Sequence, residues 1–250
     1  MTYRFATEDR DYSDFAGGRV LYSLPGMPAF PVRLASEIFQ RAAERLPKET
    51  GGLTIYDPTC GGAYHLTALG FLHGELIRAV IASDVDEEAL ALAERNLGLL
   101  SESGLAKREA EIRRMLAEYG KESHADALRS LETLGKLQQS QPEIRVQRFA
   151  ADALNPEQVA AGLAGEKVDL IISDVPYGRL SGWQGETGQG YSAIHQMLDA
   201  VRGALKPHSV VAIAADKSQT ITNPAYRRVG RFQVGKRRVV LLEPARTETA

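Results

Sequence analysis

A chain of 250 residues, 44% hydrophobic and 25% charged, is long enough for one large α/β domain and has the composition of an ordinary soluble globular protein. The only cysteine, Cys60, excludes an internal disulfide and a thiolate metal cage and fits a reducing cytoplasm; five histidines scattered without ligand spacing make a metal site unexpected. No apolar run nears the ~20 residues that span a bilayer, and the charged N-terminus has neither a signal peptide nor an anchor pattern, so no membrane association is expected.

Residues 1–33 are irregular and rich in Gly, Pro and aromatics, closing with Pro25-Gly26-Met27-Pro28-Ala29-Phe30-Pro31. Leu34, Ala35, Ile38, Phe39 and Ala42 then recur at helical spacing, predicting a helix over Val32 to Leu46. A strand, Leu53 to Tyr56, ends at Asp57-Pro58, where proline stops the ladder; Gly61 and Gly62 follow, and a helical pattern starts at Ala63. A second strand, Ala79 to Ser83, leads through Asp84-Val85-Asp86 into an amphipathic helix, Glu87 to Leu99. Ser101 to Gln141 holds seven basic and seven acidic residues among helix formers, and reads as two inserted helices broken near Tyr119 to Ser123. Alternation then returns: strand Arg145 to Phe149, helix Pro156 to Leu163, strand Val168 to Ser173, helix Tyr191 to Leu205 and strand Val210 to Ala215. The tail reads as a hairpin, Arg227 to Val234 and Arg237 to Glu243, across a Gly235-Lys236 turn of type II′. This order predicts a doubly wound, mainly parallel sheet with an antiparallel C-terminal strand, in one domain over 1–250 with a helical insertion at 101–141.

Net charge is −2, but residues 201–250 carry +7 and the first 200 carry −9. A basic region on a nearly neutral chain suits a polyanion as well as plain solvent. Lys217, Arg227, Arg231, Lys236 and Arg237 are the candidate phosphate contacts, although strand alternation keeps some of them from sharing one face.

A strand, glycine turn and helix N-terminus form a cleft for a nucleoside cofactor at the carboxyl edge of a parallel sheet. Asp84 lies 23 residues beyond Gly61, where an acid hydrogen-bonds a ribose diol. Asp152 follows the next strand and could accept from an adenine amino group. With Asp57, three acids at adjacent strand ends suit a cationic nucleoside rather than a pyrophosphate, which points to S-adenosylmethionine. At Asp174-Val175-Pro176-Tyr177 an apolar strand runs into a second polar turn. A ring amino nitrogen is a poor nucleophile until its protons are accepted; Asp174 and a nearby carbonyl could do that, while Pro176 stiffens the turn and Tyr177 offers a stacking face. Trp183 sits in a loop with five glycines, where it could stack on a neighbouring base or simply anchor the loop.

Asp57-Pro58-x-Cys60-Gly61, Asp84, Asp152 and Asp174-Val175-Pro176-Tyr177-Gly178 resemble the Rossmann-like S-adenosylmethionine-dependent methyltransferases that modify amino groups. More narrowly, they resemble the avilamycin-resistance (AviRa-type) family, which modifies a guanine base of 23S ribosomal RNA. Phe30-Pro31-Val32-Arg33-Leu34-Ala35, the helix from Glu37 to Ala42, Ile81 to Asp86 and the placing of the insertion and of Trp183 extend the likeness over nearly the whole chain, thinning after about Thr220. The resemblance implies a seven-stranded sheet and makes Phe30, Val32, Asp57, Cys60, Gly61, Asp84, Asp152 and Asp174 cofactor contacts. It makes Asp174, Pro176 and Tyr177 the catalytic turn, and the large ribosomal subunit or its RNA the partner of a cytoplasmic monomer, with antibiotic resistance as a role. Guanine N1 is its preferred target and N2 the alternative. Two positions depart from the common pattern. Ala63 replaces the last glycine of the turn, which requires a negative φ or room for a Cβ, and Val175 replaces the first proline of Asp-Pro-Pro-Tyr. The rival functions are an amino methyltransferase for protein glutamine or a small molecule, a non-catalytic RNA-binding relative and, more distantly, a nicotinamide dehydrogenase.

Overall fold

The apolar runs of the sequence become the inner strands of one sheet in the computed structural model, which describes residues 3–25, 29–48, 51–175 and 192–245. The strands are β1 (Leu53–Asp57), β2 (Ile77–Asp84), β3 (Arg145–Ala150), β4 (Val168–Asp174), β5 (Leu205–Asp216), β6 (Tyr226–Val234) and β7 (Arg237–Pro244), in the order β3-β2-β1-β4-β5-β7-β6. Parallel pairing joins β3 through β5; β7 runs against both β5 and β6 and is the one reversed strand of the seven. Chain order reverses between β1 and β4, and in such sheets a ligand crevice opens beyond the carboxyl ends of those two strands.

Both faces of the inner strands are covered, which is why they read as continuous apolar runs. Helices α1 (Val32–Ala43), α2 (Tyr64–His73) and α3 (Glu87–Gly98) pack over Ile55, Val80, Leu170 and Ile172, and α4 (Glu102–Tyr119) and α5 (Glu122–Gln139) pair with each other against α3 and α2. Helices α6 (Pro156–Leu163) and α7 (Ala193–Val201) cover Tyr56, Ile81, Ile171 and Val211 on the other face. Side-chain caps define several starts: Asp86 accepts from Glu88 and Ala89, Asn155 caps α6 ahead of Pro156, and Ser192 caps α7. Gly120, at φ +60, ends α4 in a left-handed turn, inside the break expected between the inserted helices.

Strand β5 begins earlier than the expected Val210. Val168 pairs with Leu205 and Leu170 with Val210, so a bulge takes up Lys206 to Ser209. Pro207 cannot donate to a ladder, and the bulge removes the need for it to do so. The tail hairpin has the expected register, with positive φ (+58) at Gly235 and not at Lys236, as a type II′ turn requires.

The irregular N-terminal segment is bound into the core rather than trailing from it. Glu37, wholly buried on α1, accepts the backbone N–H groups of Arg4, Phe5 and Ala6 at 2.7–2.9 Å and the Arg41 Nε at 2.6 Å. Further along, the Arg108 guanidinium on α4 donates to the carbonyls of Arg19 and Val20, and Tyr22 donates its hydroxyl to Glu111 at 2.8 Å. Arg95 and Arg108 stack over the Tyr22 ring at 3.7 and 4.2 Å. The inserted hairpin therefore clamps residues 19–22 onto the domain.

His73, at the end of α2, has Nε2 2.9 Å from Ser36 Oγ and its ring stacked on Phe39, centroids 4.7 Å apart. Burial, with the charge of Arg10 adding to it, pulls its pKa down to about 4. The folded chain holds this ring neutral where the unfolded chain protonates it, near pH ~6.5. The stability contributed is therefore present above about pH 6.5 and lost as pH falls toward 4. Urea unfolding should show a loss on the order of 3 kcal/mol across that window, and His73→Gln should flatten the dependence.

Candidate active site

Five aspartates mark the crevice: Asp57, Asp84, Asp174 and Asp216 end β1, β2, β4 and β5, and Asp152 follows β3 by two residues. Asp57 is wholly buried. Its Oδ1 accepts from the Thr59 N–H at 3.0 Å, while His65 Nε2 lies 3.1 Å from Oδ2. Oδ2 accepts no aligned hydrogen bond from the described residues. A buried carboxylate oxygen left in this state is a ready acceptor for a ligand ammonium. Burial pulls the His65 pKa down, but the Asp57 carboxylate, Asp174 and the Ile172 carbonyl outweigh it and leave the pKa raised.

The glycine turn is held from two sides. Asp84 Oδ2 accepts the Gly61 N–H at 2.8 Å, and its Oδ1 accepts from Asp86 at 3.1 Å. Burial raises the Asp84 pKa, with Asp57 adding to it against the backbone N–H groups that lower it. Gly61 has φ +51 and open space where a Cβ would stand, so backbone and ligand can approach closely there. Gly62 is needed for packing instead, because a Cβ on it would lie 2.5 Å from Leu92 on α3. Asn96, buried on the same helix, donates to the Gly62 carbonyl at 2.8 Å and bonds both backbone groups of Tyr22. One side chain thus joins the glycine turn to the N-terminal segment.

Ala63 does not take the negative φ that was one way to admit its methyl. It caps α2 in the left-handed region, φ +52 and ψ 28, with its side chain fully buried. An L-residue there carries ~1–2 kcal/mol of strain, offset by the bond its N–H donates to the Cys60 carbonyl and by those its own carbonyl accepts from the Thr67 N–H and hydroxyl. Cys60 is buried with its thiol on the Gly61 carbonyl, and burial pushes its pKa well up, so it stays a thiol.

At the end of β4, the Val175 N–H donates to the Ala214 carbonyl at 3.0 Å, continuing the ladder. A proline at 175 would lose that bond, which accounts for this departure from Asp-Pro-Pro-Tyr. Asp174 faces Arg237, whose Nε and Nη2 each stand 3.5 Å from a carboxylate oxygen. Burial raises the Asp174 pKa; Arg237 and His65 act to lower it and Asp57 to raise it. Thr59 and Ser173 hydroxyls meet at 2.6 Å and tie the turn after β1 to β4. Phe30, buried just before α1, lies with its ring 5.6 Å from that of His65 and 5.1 Å from the Arg237 guanidinium. Val32 is buried at the first position of α1. Asp152 is half-buried, with Oδ1 accepting from Leu154. Pro176, Tyr177 and Trp183 lie outside the described residues.

The basic candidates separate. Lys217 and Lys236 are exposed at the crevice edge, where Lys217 donates its N–H to the Lys236 carbonyl. Arg231 is exposed midway along β6. Arg227 pairs with Glu243 at 2.6 Å at the far end of β6, about 20 Å from the crevice at ~3.3 Å per residue. Arg237 belongs with Asp174 rather than with the open basic surface. His65, Asn96 and this Arg237–Asp174 contact were not legible as site features. A polar residue in the otherwise apolar start of α2 was the one available cue for His65; the pairing of Arg237 required the position of Asp216 opposite it on β5.

Among the described residues no group of His, Cys, Asp or Glu could hold a metal, and no helix is long and apolar enough to cross a membrane. The carboxylates at adjacent strand ends and the open space at Gly61 fit a cationic nucleoside.

Known proteins share this sequence pattern and fold. A family model described as rRNA methyltransferase AviRa matches residues 1–237. A Streptomyces viridochromogenes protein named 23S rRNA (guanine(2535)-N(1))-methyltransferase is 41% identical over 244 residues, covering 97% of this chain and 96% of its own. The crystal structure of rRNA methyltransferase AviRa from Streptomyces viridochromogenes superposes with TM-score 0.87 at 40% identity, covering 97% of this chain and 96% of that one. TrmN from Thermus thermophilus, at 17% identity and TM-score 0.52 over 88% of this chain and 51% of its own, shares the fold. The chain belongs to the AviRa family of rRNA methyltransferases.

Proposed function

We propose that this chain, acting as a single domain, transfers a methyl group from S-adenosylmethionine to a guanine of 23S ribosomal RNA, at N1 in preference to N2. The observation that carries the reading is the 41% identity, over nearly the full length of both chains, to a relative named for that reaction. The crevice supports it. S-adenosylmethionine supplies a methyl on a sulfonium that is itself a good leaving group. In this reading Asp57, whose Oδ2 faces His65, takes the cofactor's ammonium, Asp84 the ribose and Asp152 the adenine, from the ends of adjacent strands. The buried Phe30, Val32 and Cys60 and the open Gly61 also contact the cofactor in this reading.

Asp174 accepts the proton that guanine N1 must lose before its lone pair can attack. A carboxylate whose pKa is raised by burial suits that task better than an exposed one. In this reading Pro176 and Tyr177, the next residues of the motif, are assigned to the target base, with Tyr177 as its stacking partner. Because N1 faces the base pair in a duplex, the target has to be unpaired or flipped out.

Lys217 and Lys236, at the crevice edge, are the phosphate contacts this reading favours. Replacing both with Ala should reduce the slope of log affinity for RNA against log salt by roughly 0.7–0.9 per lysine, whereas Arg227→Ala should leave it unchanged. Filter binding across a salt series distinguishes the two. The reaction is tested by incubating the protein with methyl-labelled S-adenosylmethionine and naked 23S or 16S rRNA or assembled 50S subunits. Label in 23S rRNA, free or in the subunit, and not in 16S is expected; label in neither RNA would defeat the proposal.

A further inference from the structure

Arg237 enters the crevice from an unexpected direction. It opens β7, opposite Asp216 on β5, and reaches back across the end of β5 to Asp174 on β4. Its two nitrogens face the two carboxylate oxygens, one contact each at 3.5 Å. This side-on pairing uses the planar fork that arginine has and lysine lacks. The Phe30 ring lies 5.1 Å from the guanidinium, so carboxylate and aromatic ring both fix its position. Only 23% of the side chain is exposed, whereas Lys236 beside it lies on the exposed surface.

From this geometry we infer that Arg237 is a positioning residue for the transfer step, holding and aiming the Asp174 carboxylate as proton acceptor instead of binding an RNA phosphate. The inference rests on the reaction proposed above. Four carboxylates, Asp57, Asp84, Asp152 and Asp174, lie at adjacent strand ends, and an unopposed Asp174 in a buried site with Asp57 nearby would hold its own proton. Arg237 and His65 are the cations that counter this, and Arg237 is the larger influence. Phe30, between the two cations, links their placement to the segment that covers the cofactor.

The test uses Arg237→Gln and Arg237→Lys in the full chain, each first checked by thermal melting. Single-turnover methyl transfer to 23S rRNA is followed against pH, and RNA binding against salt. For Arg237→Gln the rate should fall roughly 10–100-fold, as for a misaimed catalytic group. The acid limb of its pH profile should move to higher pH, because removing the cation raises the pKa it was lowering. RNA affinity and its salt slope should not change. Arg237→Lys should restore the acid limb more than the rate. A salt slope reduced by about 0.7–0.9 with an unmoved acid limb would assign Arg237 to a phosphate and overturn the inference. The Asp174 carboxyl is also titrated by carbon-13 NMR without RNA, assigned with Asp174→Asn. An upward move in Arg237→Gln supports the pairing even if 23S rRNA is not the substrate, and an unmoved titration overturns it; failure of the wild type to methylate 23S rRNA defeats the reaction alone.

Discussion

Asp174→Asn should lower kcat for methyl transfer by two to four orders of magnitude, a far larger loss than it causes in S-adenosylmethionine binding. The range follows from removing a proton acceptor, which costs ~10²–10⁴-fold, in a site where alignment of the nucleophile matters as much as basicity. Asparagine keeps the shape and one acceptor oxygen, so the loss reads chemistry more than packing. It also turns an amide N–H₂ group toward the Arg237 guanidinium in place of a carboxylate that faces it with both oxygens. Equilibrium dialysis for the cofactor and rapid quench for the transfer separate the two effects. A variant with the wild-type transfer rate would remove Asp174 from the mechanism.

The second large effect is on folding. Glu37→Ala should destabilise the chain by ~3–5 kcal/mol, and Glu37→Gln by somewhat less. Each carboxylate oxygen accepts two donors, Arg4 N–H and Arg41 Nε on Oε1, and Phe5 and Ala6 N–H on Oε2. Glutamine would turn an N–H₂ group toward one of those donor pairs, and alanine would strand all four donors. For a chain of this length the loss corresponds to a fall in Tm on the order of 10 °C. Burial acts to raise the Glu37 pKa, but these backbone N–H groups and Arg41 outweigh it and leave it lowered. Its contribution is therefore present above the ordinary glutamate range, ~4.3, and is lost as pH falls through the lower folded value. Acid unfolding of Glu37→Gln should lack this component.

Much of the sheet could be read in advance because its inner strands are buried on both faces, so that apolar runs bounded by Asp or Gly mark them directly. The α4–α5 break was readable for the same kind of reason, since a glycine tolerates the left-handed turn that closes a helix. Local pattern failed where tertiary contact decides. Nothing within residues 3–25 announces that Glu37, Asn96 and Arg108 will satisfy its backbone, for those partners lie on three different helices. Ala63 shows the limit of propensity: the closing of the glycine turn imposes a positive φ that the residue type disfavours. The acids Asp57, Asp84 and Asp174 could be placed at one edge because each ends a strand. The cations that set their behaviour could not, since His65 faces them from a helix and Arg237 from a strand 63 residues beyond Asp174.

The most direct measurement is the identity of the modified nucleoside. After reaction with methyl-labelled S-adenosylmethionine, 23S rRNA is digested and its nucleosides are separated by mass, with reverse transcription across the intact RNA in parallel. The expected product is labelled N1-methylguanosine from a single site, with a transcription stop there, because a methyl on N1 blocks the pairing edge. Label recovered in another nucleoside, or RNA left unlabelled while the cofactor binds normally, would contradict the account.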